Sequence, residues 1–319
     1  MTTKPGVVEV AGWERYPWLR AGFSTRQGGG TTAYADGGPH SPGSAELNLG
    51  WTKEDSAEVV AENRRRFVRA VWGAGRQPEL VAVRQFHSGM VRVVGAPPMS
   101  QERDMGHPHW STADGKAVLR GDALMTRQPG LLLGVQTADC VPVLLADIKT
   151  RAVAALHAGW RGTLARIVER GVGTMRLEFG SKPKDLVAAI GPAIAACCFA
   201  VGEEVQHEFE SQFAYAPGLF SEVYDRDPVR DKYPMLFLTQ RAPGHSNLGP
   251  QIHLDLHAAN RRQLLDAGLR ARAITVLAEC TACTRLRDGR RKYFSHRAES
   301  GYTGRMMGVV GVRETVVSG

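Results

Sequence analysis

Apolar residues in this chain gather in short runs separated by polar and glycine-rich steps. The runs at residues 131–135, 141–146, 152–156, 186–190, 273–278 and 307–312 have the length and β-branched content of strands. Helical spacing appears between them. Over residues 163–179, Leu164, Ile167, Val168, Val172 and Met175 fall on one face, and Gly180 stands where a C-terminal stop is expected. Asp255 is placed to cap a second helix, in which Leu256, Ala259, Leu264 and Ala267 share a face before Gly268. Residues 55–71 read as a third helix with a basic outer face. Strands and helices interleave without a regular βαβ rhythm. The pattern therefore predicts an α+β fold of layered mixed β-sheets flanked by helices.

Two stretches, 95–115 and 216–250, are rich in proline, glycine and polar residues and predict loops. Residues of chemical interest lie on both sides of each loop. This favours one domain over residues 1–319, with a site assembled from distant segments. Composition changes little in this picture: 43% hydrophobic and 23% charged residues are those of a globular protein. The formal charge of +8 points to anionic partners. The basic residues are scattered, however, and no RNA-binding aromatic motif accompanies them, which argues against nucleic acid. The opening MTTKPGVVEV lacks a signal-peptide core, and no later run approaches a membrane span. Five cysteines, an odd number, argue against a disulfide framework and for the cytoplasm.

The chemistry concentrates where apolar runs end. Cys140 precedes VPVLLAD and His157 ends RAVAALH, so an antiparallel pairing of these two strands brings both residues to the same sheet edge. His87, in RQFHSG, likewise follows a strand-like segment. Two histidines and a cysteine suit a borderline-soft ion such as Zn²⁺, and three protein ligands leave a fourth position open for water or substrate. The same residues read equally as a buried cysteine with two structural histidines, or as a nucleophile with its base.

Other candidates are weaker. Cys280-Thr-Ala-Cys283 has knuckle or redox spacing, but Cys197-Cys198 does not supply a second CxxC, so the pair reads as packed thiols. His253 and His257 lack an HExxH pattern, and His107 and His109 sit in a loop. For an anion, Arg26 lies in STRQGGG, and Arg161 opens a helix whose first amides favour phosphate. Arg297 and Arg305 are further basic candidates.

Together TADCVPVLL, HAGWRG, IGPAIAACCFAVGEEV and the C-terminal TGR resemble the laccase-domain proteins. These are the YfiH type, also called polyphenol oxidases and now regarded as purine nucleoside phosphorylases. The segments FSTRQGG, ELNLGW and ENRRRF are similar to that family's opening, and the likeness runs from about Phe23 to Val312. The resemblance implies a YfiH-like fold in which His87, Cys140 and His157 ligate one zinc ion, with copper as the alternative. It implies phosphorolysis of adenosine, inosine and methylthioadenosine, with adenosine deamination beside it. Purine nucleosides and phosphate are then the partners, with no nucleic acid and no membrane, and Arg26, Arg64 and Arg161 become phosphate or substrate contacts. His296 stands where the family has a tyrosine, as do Phe199 after the Cys pair and Ala193 for a cysteine or serine. These departures spare the metal ligands and bear on substrate preference.

The residue chemistry leaves three rivals. A metal-free cysteine hydrolase would use Cys140 as nucleophile and His157 as base. A copper-dependent phenol oxidase needs more histidines than this set offers, and a non-catalytic zinc-stabilised module would need the ligands only for folding.

Overall fold

The computed structural model describes residues 4–34, 45–95, 110–113, 116–223 and 251–314. His107 and His109 lie outside them, as does most of the 216–250 stretch. The chain gathers into two compact units, Met1–Ala195 with Leu256–Gly319, and Ala196–Asp255.

Strands of the first unit are β1 (Val7–Val8), β2 (Leu19–Ser24), β3 (Gln27–Thr31), β4 (Glu79–Ala82), β5 (Val91–Val93), β6 (Trp110–Ala113) and β7 (Lys116–Leu119). They continue with β8 (Ala123–Thr126), β9 (Leu131–Thr137), β10 (Val141–Asp147), β11 (Val153–Ala158) and β12 (Leu186–Ile190). The second unit holds β13 (Ala200–Val201), β14 (Phe220–Val223) and β15 (Gln251–Leu254), and β16 (Ile274–Val276) and β17 (Met306–Val312) return to the first. The helices are α1 (Ala57–Trp72), α2 (Trp160–Leu164), α3 (Ile167–Phe179), α4 (Glu203–Gln212) and α5 (Leu256–Asp266).

Two mixed sheets form the first unit. One runs β1-β2-β17-β9-β4, the other β16-β12-β10-β11-β8-β5. Each is antiparallel in its middle, with parallel pairings at β4–β9, β12–β16 and β5–β8. Their facing side chains make one core: Phe23, Leu133, Val135, Val310 and Val312 from the first sheet meet Leu124, Leu144, Val153, Ala155 and Val187 from the second. Phe67, Val68 and Trp72 of α1 pack with Leu132, Met307 and Val309. At Gly171 of α3 a Cβ would lie 2.3 Å from Leu156 Cδ2, so this helix seats closely on β11. Strands thus covered on both faces have no polar side to show, which explains why the sequence presents them as unbroken apolar runs. In the second unit β15 lies between β13 and β14, and Phe209 of α4 packs edge-on against Phe220.

The predicted strands appear with small changes at their ends, whereas the helix predicted over 163–179 is two helices. Arg166 adopts a left-handed conformation (φ 55°) between α2 and α3. The carbonyl of Thr163, which would continue the ladder, instead accepts hydrogen bonds from the Gln263 side-chain amide at 2.7 Å and from Arg166 N–H at 3.0 Å. A tertiary partner therefore outcompetes a helical turn. α1 begins after Ser56 rather than at Asp55. The Ser56 hydroxyl caps Val59 N–H, while the Asp55 carboxylate accepts from Thr31 and Asn48.

Candidate metal centre

The hairpin of β10 and β11 builds one side of the site. Val141 pairs with Ala158 and Pro142 with His157, so Cys140, one residue before β10, stands at the same sheet edge as His157. His157 shares the parity of Val153 and Ala155 and is 3% exposed at the end of the intersheet core. Gly159 follows immediately. A Cβ there would lie 2.8 Å from Cys140 Sγ and 3.1 Å from His87 Cδ2, so the turn out of β11 passes where no larger residue fits.

His87 comes from a loop and adopts a left-handed conformation, φ 63°, uncommon outside glycine. Its Nε2 lies 3.8 Å from Cys140 Sγ, and its ring meets that of His157 edge-on with centroids 5.0 Å apart. One ligand atom from each of His87, Cys140 and His157 falls within 4.8 Å of the others.

Asp122, fully buried just before β8, joins the two histidines. Its Oδ1 accepts from His157 Nδ1 at 2.9 Å and from His87 N–H at 3.0 Å. Its Oδ2 accepts from the Ser88 amide and the Ser88 hydroxyl, both at 2.7 Å. Because a carboxylate can only accept, Nδ1 of His157 carries a proton, and Nε2 is the nitrogen turned toward a ligand, available once its own proton is lost. These bonds outweigh the burial that opposes ionisation and hold the Asp122 carboxyl down at about 2. Burial also opposes charge on Cys140 and His157. Their mutual attraction, with the contacts to His87 and Asp122, overrides it and favours a thiolate beside an imidazolium.

Asp122 is absent from the residues singled out by the sequence reading. The available signal is an aspartate directly against the apolar run ALM in RGDALMT, a placement that buries a charge and so demands partners. Asp139 is a second such residue. It is buried with φ 93° beside Cys140, and its carboxylate accepts from the Thr281 hydroxyl and Arg297 N–H, each at 2.7 Å.

The three predicted phosphate contacts separate. Arg26 is only 1% exposed; it is bound by Glu46 and Glu299 at 2.6 Å each and donates to the Tyr34 carbonyl. Two carboxylates already pair this cation, so it braces the interior. Arg64 is the opposite case. It donates from Nε to the Leu49 carbonyl at 2.8 Å and stacks over Trp51 at 4.6 Å, while its buried Nη2 has no hydrogen-bond partner among the described residues. Burial without a neighbouring carboxylate lowers it to about 10. Arg161 is exposed on α2, with its guanidinium over Trp160 at 4.0 Å. Arg305 donates to the carbonyls of Thr303 and Gly304. The Cys280–Cys283 pair departs from packed thiols, since Cys280 is buried but Cys283 is exposed. His257 is buried and bonded to the Gly191 carbonyl, and His253 to that of Ala196, so neither faces a ligand.

The comparisons with known proteins agree with one another. Residues 20–313 match the family model described as multi-copper polyphenol oxidoreductase laccase. The purine nucleoside phosphorylase YlmD of Geobacillus stearothermophilus is 33% identical over 300 residues, covering 93% of this chain and 95% of that protein. The adenosine deaminase RL5, from an unidentified prokaryote, is 35% identical over 206 residues, 64% of this chain and 66% of its own length. The crystal structure of Bacillus licheniformis YfiH superposes with a TM-score of 0.71 at 25% identity, covering 98% of both chains. On its fold, its sequence and the matched length, this chain belongs to the laccase-like YfiH family.

Proposed function

We propose that the protein is a purine nucleoside phosphorylase, converting adenosine, inosine and methylthioadenosine to free base plus ribose 1-phosphate, with adenosine deamination as a side activity. His87, Cys140 and His157 hold one zinc ion in this reading. The observation that carries it is the meeting of one thiolate and two imidazoles, from distant segments, within 4.8 Å. The donor set fits such an ion: Cys140 favours the thiolate, and Asp122 keeps the proton on His157 Nδ1, so that Nε2 is the nitrogen that gives up its proton to a metal. Bound zinc supplies Lewis-acid polarisation of an oxygen atom. The protein's own groups do the rest. Arg64, a cation without a carboxylate partner, and Arg161 offer charge to phosphate, chiefly a positioning effect. Phe86, 41% exposed beside His87, presents a flat apolar face suited to a purine. The odd cysteine count supports a reducing, cytoplasmic setting for the enzyme.

Purified protein, with its metal content measured, is assayed on adenosine and inosine with and without phosphate, alongside Cys140→Ala. Phosphate-dependent release of free base, lost in the variant together with about one zinc per chain, is the expected result. Stoichiometric copper would move the chemistry toward phenol oxidation, and no turnover on either nucleoside would sink the phosphorylase reading.

A second reading has its own support. Cys140, His157 and Asp122 line up as nucleophile, base and orienting carboxylate, the order a cysteine hydrolase uses. Alkylation separates the two: a ligated Cys140 is protected by bound metal, whereas a hydrolase nucleophile reacts in the protein as purified.

A further inference from the structure

A second group of sulfur ligands stands outside the centre just described. Cys280 and Cys283 occupy a tight turn closed by Thr284 N–H donating to the Cys280 carbonyl at 3.1 Å. The turn is anchored on the loop after β12 through the bridge of Ala193 with Cys280 and through Thr281 N–H, which donates to the Ala193 carbonyl at 3.0 Å. Both residues are thiols, and their sulfurs lie within 4.8 Å of one another.

The backbone around Cys280 is arranged for a negative sulfur. Ala195 N–H points at Sγ with a nitrogen–sulfur distance of 3.4 Å, and the amides of Ala282 and Cys283 in the turn favour its negative form as well. A merely packed cysteine needs no such amides and keeps its proton. A turn that aims successive amides at the first sulfur of a C-x-x-C pair, with the second sulfur exposed beside it, presents two donors to a soft cation.

We propose that Cys280 and Cys283 form a second metal-binding site, a knuckle supplying two thiolates to a thiophilic cation such as Zn²⁺. Two sulfurs are half of a tetrahedral shell, and the experiment counts how many complete it. The knuckle also bears on the first centre. Thr281, between the two cysteines, donates its hydroxyl to Asp139, which holds a left-handed conformation next to Cys140. A metal at Cys280 and Cys283 therefore stiffens the turn that presents Cys140.

The test is made on the full chain, stripped and reconstituted with Zn²⁺ and, separately, with Co²⁺. Wild type is expected to take up two equivalents. Cys280→Ser/Cys283→Ser takes up one, and so does Cys283→Ser alone, in which the altered side chain is exposed and the fold is not at risk. His87→Ala loses the other equivalent. Co²⁺ at the knuckle gives sulfur-to-metal charge transfer that persists in His87→Ala, its intensity reporting the number of sulfurs. An uptake unchanged in both serine variants overturns the proposal, as does the absence of sulfur charge transfer from His87→Ala. A single equivalent in wild type that disappears with Cys283→Ser supports the knuckle and instead sinks the centre at His87, so the two assignments fail separately.

Discussion

The two histidines of the candidate centre come from contrasting parts of the molecule. His157 sits on a strand inside a hydrogen-bonded ladder, almost fully buried, with its position fixed by register against Pro142. His87 sits on a loop, exposed, in a backbone conformation that costs energy and is held by bonds from its own and the neighbouring amides to Asp122. One ligand is placed by the sheet and the other by a single carboxylate. The strand side is therefore set by register and close packing, while the loop side depends on Asp122 and Ser88.

Removing a ligand breaks both sides and gives the largest effect. His157→Ala and Cys140→Ala are each expected to lose the metal of this centre and to abolish phosphate-dependent base release, read by metal analysis and a free-base assay. Asp122→Asn keeps every ligand but disturbs the His157 tautomer and the His87 loop together. Metal affinity is expected to fall about 10–100-fold, measured by chelator competition. An unchanged affinity would show that the loop conformation is set elsewhere.

Acid sharpens the same contrast. Asp122 has a folded pKa depressed from 3.8 to about 2, so its contribution to stability is complete above the unfolded value and is lost as pH falls through that window. In urea titrations of metal-free protein, the midpoint of wild type should drop between about pH 4 and 2 more steeply than that of Asp122→Asn. Parallel slopes would remove Asp122 from the account of acid stability.

Two smaller changes address one side each. Gly159→Ala puts a methyl against Cys140 Sγ on the hairpin side, with an expected cost of about 1–3 kcal/mol in unfolding free energy and weaker metal retention. Ser88→Ala removes one hydroxyl from Asp122 on the loop side and should cost about 1 kcal/mol, with metal still bound. If Ser88→Ala proved more damaging to metal binding than Gly159→Ala, the loop would be the weaker support.

Much of this could be read from the chain before any coordinates. The runs of β10 and β11 are separated by a short polar step, so their antiparallel pairing, and with it the approach of Cys140 to His157, follows from local sequence. Membership of the YfiH family was likewise legible in TADC and HAGWRG, because two such specific segments leave few alternatives. Arg26 and Arg64 show where this ends. Each is an arginine in a family-like motif, yet Glu46 and Glu299 hold the first, and among the described residues no carboxylate pairs with the second. Glu299 lies 273 positions from Arg26, a separation at which sequence carries no sign of contact.

The sequence by itself determined the strands, their hairpin and the approach of Cys140 to His157, since hydrophobic runs and short connections act over neighbouring residues. Only the tertiary structure decided how those ligands are held. Asp122 lies 35 positions from both His87 and His157. Thr163 gives up a helical bond to Gln263, 100 positions away. Buried polar groups must be satisfied wherever partners exist, and the folded chain alone brings such partners within reach.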